Sequence, residues 1–357
     1  MILKRLLSGD LPRSRVLWLL LIVIFAGLLF TPFIFHGMKA LNVAAKICVF
    51  VVLVASFDLL LGYTGIISFA HTVCFGIGAY GVAIALTRFG PTWTAVAVGV
   101  ICALLVSLVL SFLIGLFSLR VKAIFYAMIT LAVATAIQTL ASQLSDFTGG
   151  EDGLTFKVPE LLSPGFALWD KPFLGVDLNG RLITYYLVFA CAVALFLIML
   201  RIVNSPFGRV LQAIRENPFR AEALGYRTVV YRTASNVLSA GFATLAGALL
   251  ALWLRYNGPD TSLSFEIMIN ILLMVVIGGM GTMYGAVVGT TLFIIAENYL
   301  QDLLKLASGA VSGVPVLRDL VHPDRWLLWL GLLFVLSVYK FPTGIVGKLR
   351  ARVRGAA

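Results

Sequence analysis

Ala44-Ala-Lys-Ile-Cys-Val-Phe-Val-Val-Leu-Val-Ala-Ser-Phe-Asp-Leu-Leu-Leu61 runs directly into Gly62-Tyr-Thr-Gly-Ile-Ile-Ser-Phe-Ala-His-Thr-Val-Cys-Phe-Gly-Ile-Gly-Ala-Tyr80. A helix crossing the hydrocarbon core needs about 20 largely apolar residues, because each adds ~1.5 Å and no water is present to satisfy a free backbone group. The first string meets that demand. The second is as apolar but is interrupted by glycines, and a second cluster, Gly278-Gly-Met-Gly-Thr-Met-Tyr-Gly285, repeats the pattern. Broken membrane helices are tolerated where the freed backbone is buried in protein or lines a cavity, so paired breaks point to a transport pathway. Gly65, Ser68, His71, Thr72, Gly76, Gly78, Gly278, Gly279 and Gly281 are the candidate pathway residues. Close helix packing through small side chains is the plainer role for any one of these glycines. His71 is an ionisable group in an apolar segment, and a neutral, hydrogen-bonded packing role suits it better than proton relay.

The rest of the chain is similar in kind. With 61% hydrophobic and 12% charged residues and a mean hydropathy of +1.02, it carries more apolar surface than a soluble fold can hide. Apolar segments fall near 16–35, 44–61, 65–86, 93–117, 123–144, 182–202, 234–256, 265–280, 285–303 and 326–339. The reading is an all-α polytopic membrane protein of about ten transmembrane helices, with Gly-broken segments, forming a single domain over 1–357. The first apolar run is too long for a signal h-region and has no clear cleavage site, so it is read as a retained span. Lys46 can reach the interface by snorkelling.

Positive residues accumulate on the cytoplasmic side of a membrane protein. Lys4, Arg5, Arg13 and Arg15, the turn with Arg120 and Lys122, the segment carrying Arg209, Arg215, Arg220 and Arg227, and the tail with Lys340, Lys348, Arg350, Arg352 and Arg354 are therefore placed inside. The loop 145–181 holds Asp146, Glu151, Asp152, Glu160, Asp170 and Asp177 against Lys157, Lys171 and Arg181, and is placed outside. An even number of spans with both termini cytoplasmic satisfies all of these. The net charge of +11 is thus a matter of topology and not of nucleic-acid binding.

Two connections are too long to be turns. In the cytoplasmic region 203–232, Ser205 to Gly225 reads as a helix, a break at Pro218 and a short second helix stopped by Gly225. Arg215, Glu216, Phe219, Arg220, Glu222, Ala223, Leu224 and Gly225 form a candidate docking surface for a partner protein. A helix lying on the inner leaflet is the alternative. In the outer loop, Thr148, Gly149, Gly150, Glu151, Asp152 and Gly153, followed by Pro159, Pro164, Trp169 and Pro172, form a segment shaped by its backbone and suited to partner contact or plain solvation.

Enzyme chemistry is missing. H-E-x-x-H, G-x-S-x-G and C-x-x-C are absent, and the histidines are only His36, His71 and His322. Cys48, Cys74, Cys102 and Cys191 have neither zinc nor disulfide spacing, and no metal site is expected. Around Gly347-Lys348 a P-loop fails, because Pro342 stands where a glycine is required and Leu349 where Ser or Thr is. If ATP drives this system, another chain binds it.

From about Ala44 onward the chain resembles the permeases of the branched-chain amino acid ABC importers, specifically their M-type subunit. The likeness is carried by Leu61 to His71, Phe75 to Tyr80, Thr148 to Leu154, Ser205 to Arg209 with Ala213 to Glu216 and Ala221 to Gly225, and Met274 to Gly281. It implies a second permease subunit of the H type (LivH-type), two ATP-binding subunits that hold ATP and Mg²⁺, and a periplasmic or lipid-anchored substrate-binding protein, assembled at the bacterial inner membrane. It favours the docking role of Pro218 to Gly225 as a coupling helix. Thr72, Val73 and Cys74 depart from the small residues usual after His71. Related permeases handle urea, short amides or aromatic carboxylates, with hydrophobic amino acids the default expectation. An ion-coupled secondary transporter or a membrane scaffold are the readings of other classes.

Overall fold

A computed structural model of the chain describes residues 14–35, 37–118, 123–167, 178–310 and 322–354. Lys4, Arg5, Arg13, His36, Arg120, Lys122, Trp169, Asp170, Lys171, Pro172 and Asp177 lie outside the described residues, as do the side chains of Arg352 and Arg354.

Apolar runs fold as helices because a helix satisfies every backbone group internally. In chain order these are α1 (Arg15–Ile34), α2 (Met38–Thr64), α3 (His71–Phe89), α4 (Trp93–Ser118), α5 (Ala123–Gln143), α6 (Gly180–Val203), α7 (Pro206–Glu216), α8 (Pro218–Ala223), α9 (Thr228–Leu254), α10 (Phe265–Gly278), α11 (Met283–Ala310), α12 (Trp326–Lys340) and α13 (Gly344–Arg354). Nine segments of the described residues are long and apolar enough to cross a membrane. The expected span at 285–303, α11, has the length but is not among the nine. Glu297, Asn298, Gln301 and Asp302 dilute its second half.

Two boundaries differ from expectation in an informative way. α3 begins at His71 and not near 65, because residues 65–70 are not helical. α10 has only 14 residues, about 21 Å of helix against a hydrocarbon core of about 30 Å.

α2 is the post of the bundle: 94% of its most apolar stretch is buried, against 17% for α1 and 11% for the segment containing α12. Around it pack α9, α6 and α11, while α9 also packs on α3 and α4. α1, α4, α5 and α12 turn Val23, Leu105, Ile124 and Val335 outward, as lipid-facing helices do. Where α3 crosses α9 the backbones touch, since a side chain at Gly78 would strike the Thr244 carbonyl and one at Gly247 that of Phe75. Polar groups in this interior bond across helices. Ser239 Oγ donates to the Ser56 carbonyl at 2.5 Å, Asn236 Nδ2 to that of Ser111 at 2.7 Å, and Thr244 Oγ1 to Ser107 Oγ at 2.6 Å.

The connections sort to two ends. β1 (Leu154–Thr155), which follows α5, pairs antiparallel with β2 (Tyr256–Asn257), which follows α9, matching Leu154 to Asn257. α7 and α8 sit at the other end of α9, which is the alternation that the charged residues of the loops imply.

Candidate functional site

The two glycine breaks meet inside the bundle. α2 ends at Thr64, where Gly65 adopts a left-handed φ of 74°. Residues 65–70 then turn back along α2. His71, at the start of α3, comes to lie beside Ser56, with Nε2 3.0 Å from Ser56 Oγ and its ring 5.2 Å from that of Phe57. Ser56 is two turns and more above the end of α2, about 12 Å by helix rise. Irregular backbone therefore runs back alongside α2, with Ser68 and Ala70 buried and Gly65 and Ile67 exposed. Phe69 N–H donates to Thr130 Oγ1 on α5 at 3.0 Å, and Ser68, His71 and Thr72 are buried.

The second break closes on the first through Asp58. α10 stops at Gly278, and Gly279 (φ 115°) and Gly281 (φ 76°) turn the chain into α11. Gly281 N–H donates to Asp58 Oδ1 at 2.8 Å, and Asp58, on α2, is 1% exposed. Arg215, in the last turn of α7, donates through Nη1 to the Gly62 carbonyl. A side chain at Gly62 would collide with both the Asp58 carboxylate and Gly281 N. One junction thus ties α2, the α10–α11 turn and α7. Burying a carboxylate is costly unless charge and hydrogen bonds compensate. Here the free N–H groups opening α11, at the positive end of its dipole, and the charge of Arg215 offset part of that cost, while Asp58 Oδ2 has no hydrogen-bond partner among the described residues.

The other candidate pathway glycines serve contacts. A side chain at Gly76 would meet Leu263, and one at Gly278 the Gly285 carbonyl where α10 packs on α11.

Below this junction lies the short helix pair. α7 buries Val210, Leu211 and Ile214 and exposes Arg209 and Glu216. Asn217 then caps α8, its side chain accepting from Arg220 N–H at 3.0 Å with Pro218 in the first turn, and Gly225 follows with φ 91°. Ala221 packs with Val210, Ile214 and Tyr231, and Thr228 Oγ1 donates to Glu222 Oε1 at 2.5 Å, fixing α8 to the start of α9. Phe219 is 82% and Leu224 71% exposed on this firmly seated element, and Arg220 and Ala223 are exposed beside them. Large apolar side chains held out on a short helix make this a candidate docking surface, for a groove or a membrane.

At the opposite end, Gly149, Gly150 and Gly153 all have positive φ, and Thr148 Oγ1 donates to the Ala141 and Leu144 carbonyls at 2.6 Å each. Glu151 and Asp152 face outward. Arg255, the only non-glycine residue with positive φ among the described residues, caps α9, and its carbonyl accepts from Phe156 N–H at 3.2 Å. Burial, then the neighbouring Arg181, lowers its pKa from the ordinary arginine value. Among the described residues no group of three His, Cys, Asp or Glu could hold a metal. A cavity of about 860 Å³ opens here between α2, α9, α10 and α11. Within it Lys46 Nζ pairs with Glu297 Oε2 at 2.8 Å.

Comparison with known proteins gives this arrangement a family. Residues 39–338 match the model described as the branched-chain amino acid transport system / permease component. The chain belongs to that permease family. The permease is 27% identical over 301 residues to the high-affinity branched-chain amino acid transport system permease protein LivM of Salmonella typhimurium, covering 81% of this chain and 70% of that one. It is 24% identical over 323 residues to the probable LivM of Methanocaldococcus jannaschii, covering 82% and 88%. Salmonella typhimurium LivH is 23% identical over 297 residues, covering 82% and 89%. No solved structure matches the permease.

Sequence reading of this permease missed Asp58 as the group that joins both breaks, and Arg215 as more than a docking residue. It also missed the Lys46–Glu297 pair. The available signal was the charge itself, since Lys46 and Asp58 are the two charged residues of the apolar run 44–61 and Glu297 ends the apolar half of α11.

Proposed function

We propose that this permease is the M-type membrane subunit of an ATP-driven importer for branched-chain or related hydrophobic amino acids. It acts as one membrane domain in the bacterial inner membrane, with both termini cytoplasmic, beside an H-type permease subunit. Two ATP-binding subunits, which hold ATP and Mg²⁺, dock on α8, and a periplasmic or lipid-anchored receptor delivers substrate at the Thr148–Gly153 loop. The observation that carries this reading is the family match across 39–338, which takes in both the exposed Phe219 and Leu224 surface and the Asp58 junction.

Mechanically, Arg215 lies one turn before α8 and bonds to Gly62, and Gly62 abuts Asp58 and Gly281. A displacement of α8 by a closing ATPase pair is transmitted to the starts of α3 and α11 together. Those broken segments shift between outward and inward access, and the coupling requires that nucleotide and receptor favour different states.

The test is uptake in proteoliposomes carrying the permease pair and the ATPase pair. Leucine accumulation dependent on both ATP and added receptor is expected. Equal uptake by this subunit alone, without ATPase or receptor, overturns the reading in favour of an ion-coupled carrier.

A further inference from the structure

The cavity at the β1–β2 end of the bundle is lined by charges of both signs together with large apolar side chains. Lys39, Lys46 and Arg181 line it together with Asp260, Glu266 and Glu297, as do Asn270 and the apolar Phe50, Trp253 and Met274; Lys46 pairs with Glu297, and Lys39 with Asp302. Its volume of about 860 Å³ falls within the range of small-molecule sites, about 300–1,000 Å³. The Lys46–Glu297 pair lies well inside: Lys46 is about 12 Å along α2 from its start at Met38, and the two side chains are only 36% and 20% exposed.

We propose that this cavity is a transit site for a zwitterionic amino acid with an apolar side chain, whose carboxylate replaces Glu297 at Lys46 while its ammonium replaces Lys46 at Glu297. The proposal rests on the import reading above and narrows its substrate. Opening a partly buried ion pair is unfavourable when either charge is left without a counter-charge. A zwitterion leaves neither, since it brings one charge of each sign at about the separation of a hydrogen-bonded pair. An aromatic carboxylate satisfies Lys46 and strands Glu297, while urea or a short amide offers full charge to neither. The ion pair therefore acts as a filter for net-neutral, doubly charged solutes. Phe50, Trp253 and Met274 give the solute's side chain an apolar surface without a fixed shape, which suits a family of aliphatic residues.

Two measurements on the assembled complex test this. In proteoliposomes, Lys46→Gln/Glu297→Gln removes both charges and strands neither. Receptor-stimulated ATP hydrolysis should stay within about twofold of the parent, while leucine uptake at saturating loaded receptor falls at least about tenfold. Unchanged uptake, or parallel loss of hydrolysis and uptake as for a purely structural pair, overturns the proposal. In a background whose other cysteines are replaced, Asn270→Cys reports directly on the cavity. Millimolar leucine should slow its labelling by a charged thiol reagent, and 4-methylpentanoate or urea at equal concentration should not. Absence of protection by leucine, or equal protection by urea, overturns it. If the parent complex takes up no leucine although leucine protects Asn270→Cys, the import reading fails and the cavity assignment stands.

Discussion

Asp58 and Gly62 show how much one residue can hold when its neighbourhood leaves no room. Asp58→Ala strands the Gly281 N–H and loosens the turn between α10 and α11. An unpaired buried group costs about 1–3 kcal/mol, so thermal unfolding in detergent should show a clear loss. Asp58→Asn keeps a carbonyl acceptor for Gly281 and should unfold closer to the parent. Gly62→Ala places a methyl group against both the Asp58 carboxylate and the Gly281 backbone, and should be at least as damaging as Asp58→Ala. Comparable melting of Gly62→Ala and the parent would sink the account of this junction. The acid itself was legible in the sequence, standing alone in an apolar run. Its partner was not, because Gly281 is 223 residues away and no periodicity records which helices become neighbours.

Among the elements, α7 and α8 carry the sharpest expectations. Phe219 and Leu224 contribute almost nothing to the fold of this chain, being 82% and 71% exposed. Phe219→Ala/Leu224→Ala should leave the amount of membrane-inserted permease unchanged, yet reduce ATPase subunits recovered on purification at least about tenfold, as expected when apolar anchors are removed from an interface. Retained ATPase with normal uptake would assign α8 to the lipid surface instead. Arg215→Ala separates docking from transmission: ATPase recovery and basal hydrolysis should persist while leucine uptake falls at least about tenfold. Loss of ATPase binding in that variant would mean that Arg215 only holds the docking surface in place. The helix pair was readable because Asn217, Pro218 and Gly225 punctuate it with local chemistry. The start of α3 at His71 was not. The stretch 65–86 is apolar throughout, and hydropathy does not distinguish a crossing helix from a non-helical segment folded back against α2.

For the whole molecule, composition carried most of what could be known: helical and polytopic, with nine described segments long and apolar enough to cross a membrane; an even count is what the placement of arginine and lysine predicts. The pairing of β1 with β2 places the connections after α5 and α9 on one face. Single cysteines test which face that is. In intact cells a membrane-impermeant maleimide should label Glu151→Cys, and should label Arg220→Cys only after the inner membrane is opened. The reverse pattern inverts the molecule and removes the docking role of α8. Lipid-facing and buried helices were harder to tell apart in advance, since α1 and α2 are similarly apolar yet one is the periphery and the other the centre.

The Lys46–Glu297 pair also constrains how the chain is made. Lys46 leaves the ribosome 251 residues before the carboxylate that neutralises it. A lysine near the start of a membrane helix costs less than one at its centre, where insertion scales give about 3 kcal/mol. α2 bears that burden through most of synthesis, carried by the strong apolarity of its other residues. α11 has the converse difficulty: it is less apolar than the other spans and is preceded by the short α10, against which it packs. Nascent chains cut short of Glu297 therefore carry Lys46 without the carboxylate that pairs with it in the folded subunit.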